Sequence, residues 1–156
     1  MASSKEAADY DALEATTSIE DMTDNEDNQW TLRSLKNNDK DLSRLRLCSS
    51  EDSHDRDVDE VYGDYFPGSC EELGWLGHFA KKSPHLEEFL MYESNIFKKC
   101  SEESVDRFFG DLGKCNHIKK MGFSYVHLSE IICKLGPVIE KKNNITHLHI
   151  YRCFFG

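Results

Sequence analysis

His147, His149 and Cys153 lie close together in the closing stretch NITHLHIYRCFFG. Histidine and cysteine are the ordinary ligands of zinc, and two histidines two residues apart on a strand point to the same side. A zinc site needs a third ligand on that side. The strand supplies only the two histidines, so no metal centre is expected. Asp55-x-Asp57-x-Asp59 has the opening of a calcium loop, but the sixth position, where the chain must turn on glycine, is Glu60. The twelfth, where a bidentate glutamate belongs, is Phe66. A solvated acidic loop is expected there, with no calcium.

Other catalytic signatures are missing too. The sequence contains no G-x-S-x-G elbow, no phosphate-cradling P-loop and no dinucleotide fingerprint. Asn144-Ile145-Thr146 matches a glycosylation acceptor, but the first residues, MASSKEAADYDALEATTSIED, have no apolar core of a secretory signal. The six cysteines, at 48, 70, 100, 115, 133 and 153, form no C-x-x-C and are expected to be free thiols filling apolar space. No enzyme, no cofactor and a cytoplasmic location, with the nucleus as an alternative, are the expectations. A metal-dependent enzyme is the least favoured reading.

Tyr92, Tyr125, His147, His149, Tyr151 and Arg152 are of the residue types that recur in recognition surfaces. Tyrosine, histidine and arginine on a rigid support add contact area at small entropic cost, which is why they recur in protein-binding patches. Their positions depend on the elements that carry them.

Charge divides the chain. Residues 1–30 hold nine acids against one lysine, residues 31–65 nine acids against six bases, and residues 66–156 eleven acids against twelve bases. The net charge of -10 is therefore concentrated at the front and argues against nucleic-acid binding through the overall field. Residues 1–29 are too polar to offset the entropy of ordering and are expected to be disordered, with a frayed helix over EAADYDALEA as the most they would form. Residues 49–65 read as an acidic insertion. Apolar runs stay well short of the ~20 residues of a membrane span.

From residue 69 onward helical and strand-like pieces alternate. Ser69 with Glu72 is a capping-box pattern ahead of an apolar face of Leu73, Leu76, Phe79 and Ala80. Ser101 precedes Val105, Phe108, Phe109 and Leu112, and Ser129 precedes Ile132, Leu135 and Ile139, with Pro137 expected to break or kink that helix. After each piece comes the same spacing: Leu86-x-x-Phe89-x-Met91, Ile118-x-x-Met121-x-Phe123 and Ile145-x-x-Leu148-x-Ile150. An eleventh-position apolar residue follows each, namely Ile96, Leu128 and Phe155. Upstream, Leu42-x-x-Leu45-x-Leu47 carries the first half of the pattern. Helical spacing from Ile145 would place His149 and Arg152 on the apolar face, so a strand is the better reading.

This spacing resembles the leucine-rich repeat, one strand and one helix per unit, and the intervals of 44, 32 and 27 residues are similar to its ribonuclease-inhibitor-like subclass. The resemblance covers about residues 42–156; position nine departs from it, being Ser50, Ser94, Val126 and Cys153, and only Cys153 matches. It implies an α/β leucine-rich-repeat solenoid over residues 30–156, with a parallel sheet on the concave side and helices on the convex side. Positions one, four, six and eleven would face the core, and positions three, five, seven and eight the concave surface. The implied role is a protein-interaction scaffold binding another protein through that surface, where the repeat positions would place Tyr92, Tyr125, His147, His149, Tyr151 and Arg152. Alternatives of another class are a substrate-recognition subunit of a ubiquitin-ligase-type complex or a GTPase regulator. An uncapped last strand implies a fragment of a longer array or end-to-end self-association through that strand.

Overall fold

A computed structural model describes residues 9–49, 63–141 and 144–154. The elements are α1 (Tyr10–Glu14), α2 (Ile19–Met22), α3 (Glu26–Lys36), β1 (Arg44–Cys48), β2 (Gly63–Tyr65), α4 (Cys70–Ala80), β3 (Glu88–Tyr92), a short 3-10 helix (Ser94–Phe97), α5 (Glu102–Gly113), β4 (Lys120–Ser124), α6 (Leu128–Lys141) and β5 (His147–Tyr151). All five strands form one parallel sheet in the order β2-β1-β3-β4-β5. Helices α3, α4, α5 and α6 pack side by side in chain order as a second layer. The protein is therefore α/β.

Register follows the sequence spacing residue for residue. Leu45, Phe89, Met121 and Leu148 lie on one rung, and Leu47, Met91, Phe123 and Ile150 on another. Leu45, Leu47, Phe89, Met91, Met121 and Phe123 are buried, as are the position-one residues Leu42, Leu86 and Ile118. Alternation explains this: every second side chain of a strand meets the helical layer. Leu148 and Ile150 occupy the same rungs on the edge strand and are 50% and 44% exposed. Phe155 lies outside the described residues.

Helix starts agree with their caps. Ser69 accepts from the Glu72 amide and Ser101 from the Ser104 amide, each satisfying a first-turn N–H. The apolar face of α5, Val105, Phe108, Phe109 and Leu112, is buried as its spacing predicts. Helix α6 departs from expectation twice. It runs through Pro137 to Lys141, and its buried face is Ile131, Leu135 and Val138, with Ile132 half-exposed. Proline removes one backbone donor, but packing of that face on α5 keeps the surrounding turns in place.

The largest correction concerns the front of the chain. Residues 9–29 are not a disordered tail: they form α1, α2 and the start of α3, and Tyr10, Ile19 and Met22 join the core. Mean polarity conceals three widely spaced apolar anchors, which find a ready surface on α4. In consequence α4 is buried from Leu73 through Ala80, on more than the single face its spacing predicts. Residues 1–8 lie outside the described residues. Trp30 on α3 is 44% exposed, while Trp75 is buried.

The second correction concerns the acidic insertion 49–65. Its last three residues form β2 on the far edge of β1. Thr31 Oγ1 donates to the Asp64 carbonyl at 2.8 Å, tying α3 to this strand. Residues 50–62, including Asp55, Asp57 and Asp59, lie outside the described residues.

Asn28 joins the two corrected segments. It is fully buried, accepts the Phe66 amide at 2.7 Å, and donates through Nδ2 to the Phe66 carbonyl at 3.0 Å and to Glu72 Oε2 at 3.3 Å. Thr23 Oγ1 also donates to Glu72 Oε2. A buried amide that fixes both backbone groups of one residue sets the path of the chain into α4.

Candidate tyrosine-lined binding face

Strands running the same way bring their carboxyl ends to one rim, the usual place for ligands on an open parallel sheet. Tyr92, Tyr125 and Tyr151 meet along that rim. The Tyr92 and Tyr125 rings lie 5.6 Å apart at 66°, and the Tyr125 and Tyr151 rings 5.8 Å apart at 85°. Both contacts are edge-to-face, which the ring quadrupole favours. Arg152 continues the row: its Nε donates to Tyr151 Oη at 3.1 Å, with the guanidinium 5.4 Å from that ring's centre. Tyr151 is 45% exposed, and His147, His149 and Arg152 are also exposed.

A repeated turn shapes this rim. Glu93, Tyr125 and Arg152 follow equivalent strand ends and have φ of 84°, 57° and 50°. None is glycine, so each left-handed residue costs on the order of 1–2 kcal/mol. The turn aligns the donor that continues the ladder: Glu93 N–H donates to the Ser124 carbonyl at 2.9 Å, and Tyr125 N–H to the Tyr151 carbonyl at 3.0 Å. Cys153 Sγ then donates to the Phe123 carbonyl at 3.2 Å, binding the turn to the neighbouring strand. The absence of an Asn or Cys at Val126 leaves this scheme intact, because Val126 is buried and its carbonyl accepts from Phe154 at 2.9 Å.

Toward β1 the face carries charge. Arg46 makes a two-pronged pair with Asp64, Nε to Oδ1 at 2.8 Å and Nη2 to Oδ2 at 3.2 Å. Arg44 Nε lies 3.5 Å from Glu88 Oε1 on the neighbouring strand. Between charge and tyrosines, Leu90 leans over Gly122, where a Cβ would come within 2.5 Å of Leu90 Cδ2. Sequence reasoning missed both features: one needs β2, and the other needs knowledge of how Leu90 turns.

His147 and His149 share a side of β5, and Gly122 faces His149 across the sheet. His147 Nδ1 lies 2.9 Å from Thr146 Oγ1. Among the described residues no group of three histidine, cysteine or acidic side chains is placed to hold a metal ion. No helix among them is long and apolar enough to cross a membrane.

Fold and site thus define an α/β protein with a five-stranded parallel sheet whose carboxyl rim carries an aromatic row. No known family model matches the chain, and no curated protein matches it significantly.

Proposed function

We propose that this chain is a leucine-rich-repeat-like binding module that captures another protein on its Tyr92–Tyr125–Tyr151 row, in the cytoplasm. The observation that carries the reading is the continuous edge-to-face ladder, which presents large amphipathic rings from three successive strands. His147, His149 and Arg152 would supply polar contacts at its exposed end. Residue-for-residue strand register, with helices stacking in the same order, supports the repeat reading. The test is quantitative capture by the folded chain and by a variant with alanine at all three tyrosines. Specific partners should be lost while circular dichroism is unchanged. Undiminished capture would remove the tyrosine face from consideration.

The exposed edge of β5 favours a second reading, self-association through Leu148 and Ile150. Light scattering across protein concentration decides it: a concentration-dependent dimer supports the edge contact, and a constant monomer mass opposes it.

A further inference from the structure

Two cysteines meet where α4 and α5 begin. Cys70 is the first residue of α4, where unpaired amides and the helix dipole favour negative charge. The Ser101 amide donates to Cys70 Sγ at 3.2 Å, and the Ser101 hydroxyl lies 3.6 Å from the same sulfur. Ser104 Oγ sits 3.1 Å from Ser101 Oγ. Cys100 reaches the other way, its Sγ donating to the Ser69 carbonyl at 3.6 Å. Each sulfur thus touches the residue flanking the opposite cysteine, which places both thiols at the same junction of α4 and α5.

The two differ chemically. Hydrogen bonds from Ser104 and Ser101 hold the Cys70 thiol below the ordinary cysteine range, against the nearby charge of Glu71. Burial pushes the Cys100 thiol up to about 11. A thiolate is the nucleophile in sulfur chemistry, so an asymmetric pair has an attacking and a resolving member.

We propose that Cys70 is a peroxide-reactive thiol and that Cys100 resolves it, joining the starts of α4 and α5 through a disulfide. The Cys70 thiolate attacks one oxygen of a hydroperoxide. An S–O bond forms, the O–O bond breaks, and the departing oxygen takes a proton to leave as water or an alcohol. Sulfur loses two electrons and the peroxide gains them. The Cys100 sulfur then attacks the resulting sulfenic sulfur; S–S forms, S–O breaks, and the Cys100 proton leaves with hydroxide as water. Few thiolates exist at Cys100, so it does not compete for peroxide, and resolution is the slower step. A dithiol reductant reverses the bridge by exchange.

Cys133 provides an internal control, because it is exposed while Cys70 is half-buried. Accessibility alone would oxidise Cys133 first. The folded, reduced chain would be treated with hydrogen peroxide at neutral pH, quenched with N-ethylmaleimide, digested and analysed by mass spectrometry over time. Cys70 should be consumed about twofold or more faster than Cys133, since hydrogen bonds to the Cys70 sulfur favour its thiolate. A Cys70–Cys100 peptide lacking two hydrogens should then accumulate in the monomer and vanish with dithiothreitol. Cys100→Ser should stop the sequence at a dimedone-reactive Cys70. Faster loss of Cys133 would overturn the proposal, as would oxidation of Cys70 in the unaltered chain without linkage to Cys100. The rate comparison uses the unaltered protein, so it stands even where a variant folds poorly.

Discussion

The phenol of Tyr10 covers the α-carbon of Gly74 and stands edge-on to the Trp75 indole, ring centres 4.7 Å apart. Arg107 lies over the same phenol at 4.7 Å. A residue from the acidic front of the chain is thus held between α4 and α5. Only glycine leaves room for it, because a Cβ at residue 74 would overlap the phenol oxygen.

Gly74→Ala should therefore push Tyr10 out of its slot. The expected loss is about 1–3 kcal/mol of unfolding free energy, the usual range for overpacking. Urea unfolding measures it, and Trp75 emission in a Trp30→Phe background should report the altered contact. An unchanged midpoint would mean that α1 is not docked on α4.

Acid should weaken the same attachment. His78 Nε2 and Glu14 Oε1 are 2.7 Å apart, and Lys82 Nζ lies 2.7 Å from Asp11. The His78 hydrogen bond holds the Glu14 carboxyl below its ordinary range, and Lys82 does the same for Asp11. A carboxyl with a depressed folded-state pKa adds stability above its unfolded pKa. That stability is lost as pH falls through the folded value. Urea midpoints against pH should fall in the acidic carboxylate range, and Glu14→Gln should flatten that limb. Identical acid limbs in the two proteins would refute the assignment.

Asn28→Ala should cost more than an ordinary polar replacement. It would strand the Phe66 amide and remove a donor from the Phe66 carbonyl. Each buried group left unpaired costs about 1–3 kcal/mol, so a loss of ~2 kcal/mol or more is expected by chemical denaturation. A shift below ~0.5 kcal/mol would show that the amide does not hold the chain there.

Equivalent rungs should respond unequally. Leu45→Ala removes a fully buried side chain and should cost about 2–5 kcal/mol. Leu148→Ala alters a residue 50% exposed on the same rung and should cost under ~1.5 kcal/mol at low protein concentration. If β5 pairs with a second copy, the Leu148 penalty should grow with protein concentration. Equal penalties at low concentration would contradict the exposed edge.

Strand positions were legible because their cause is local. Side chains alternate across any strand, so Leu86, Phe89 and Met91, with their counterparts at 118–123, marked a buried side whatever lay around them. Serine caps at Ser69 and Ser101 were legible for the same reason, since a cap needs only the next turn of its helix. On α6 the spacing identified the helix but mistook Ile132 for Ile131, since which side of an apolar-rich helix is buried depends on α5. All six proposed contact residues came from the concave positions that the repeat resemblance implies, yet only stacked strands bring Tyr92, Tyr125 and Tyr151 into one row.

The sequence alone determined β1, β3, β4 and β5, the capped starts of α4 and α5 and which strand side turns inward, because backbone geometry and nearest-turn hydrogen bonds set those properties within a few residues. Tertiary structure decided whether the acidic front folds, where Asp64 finds Arg46, and which cysteines become neighbours. Those outcomes depend on surfaces assembled from distant segments. Burial of Tyr10 becomes favourable only after α4 and α5 have made the slot that receives it.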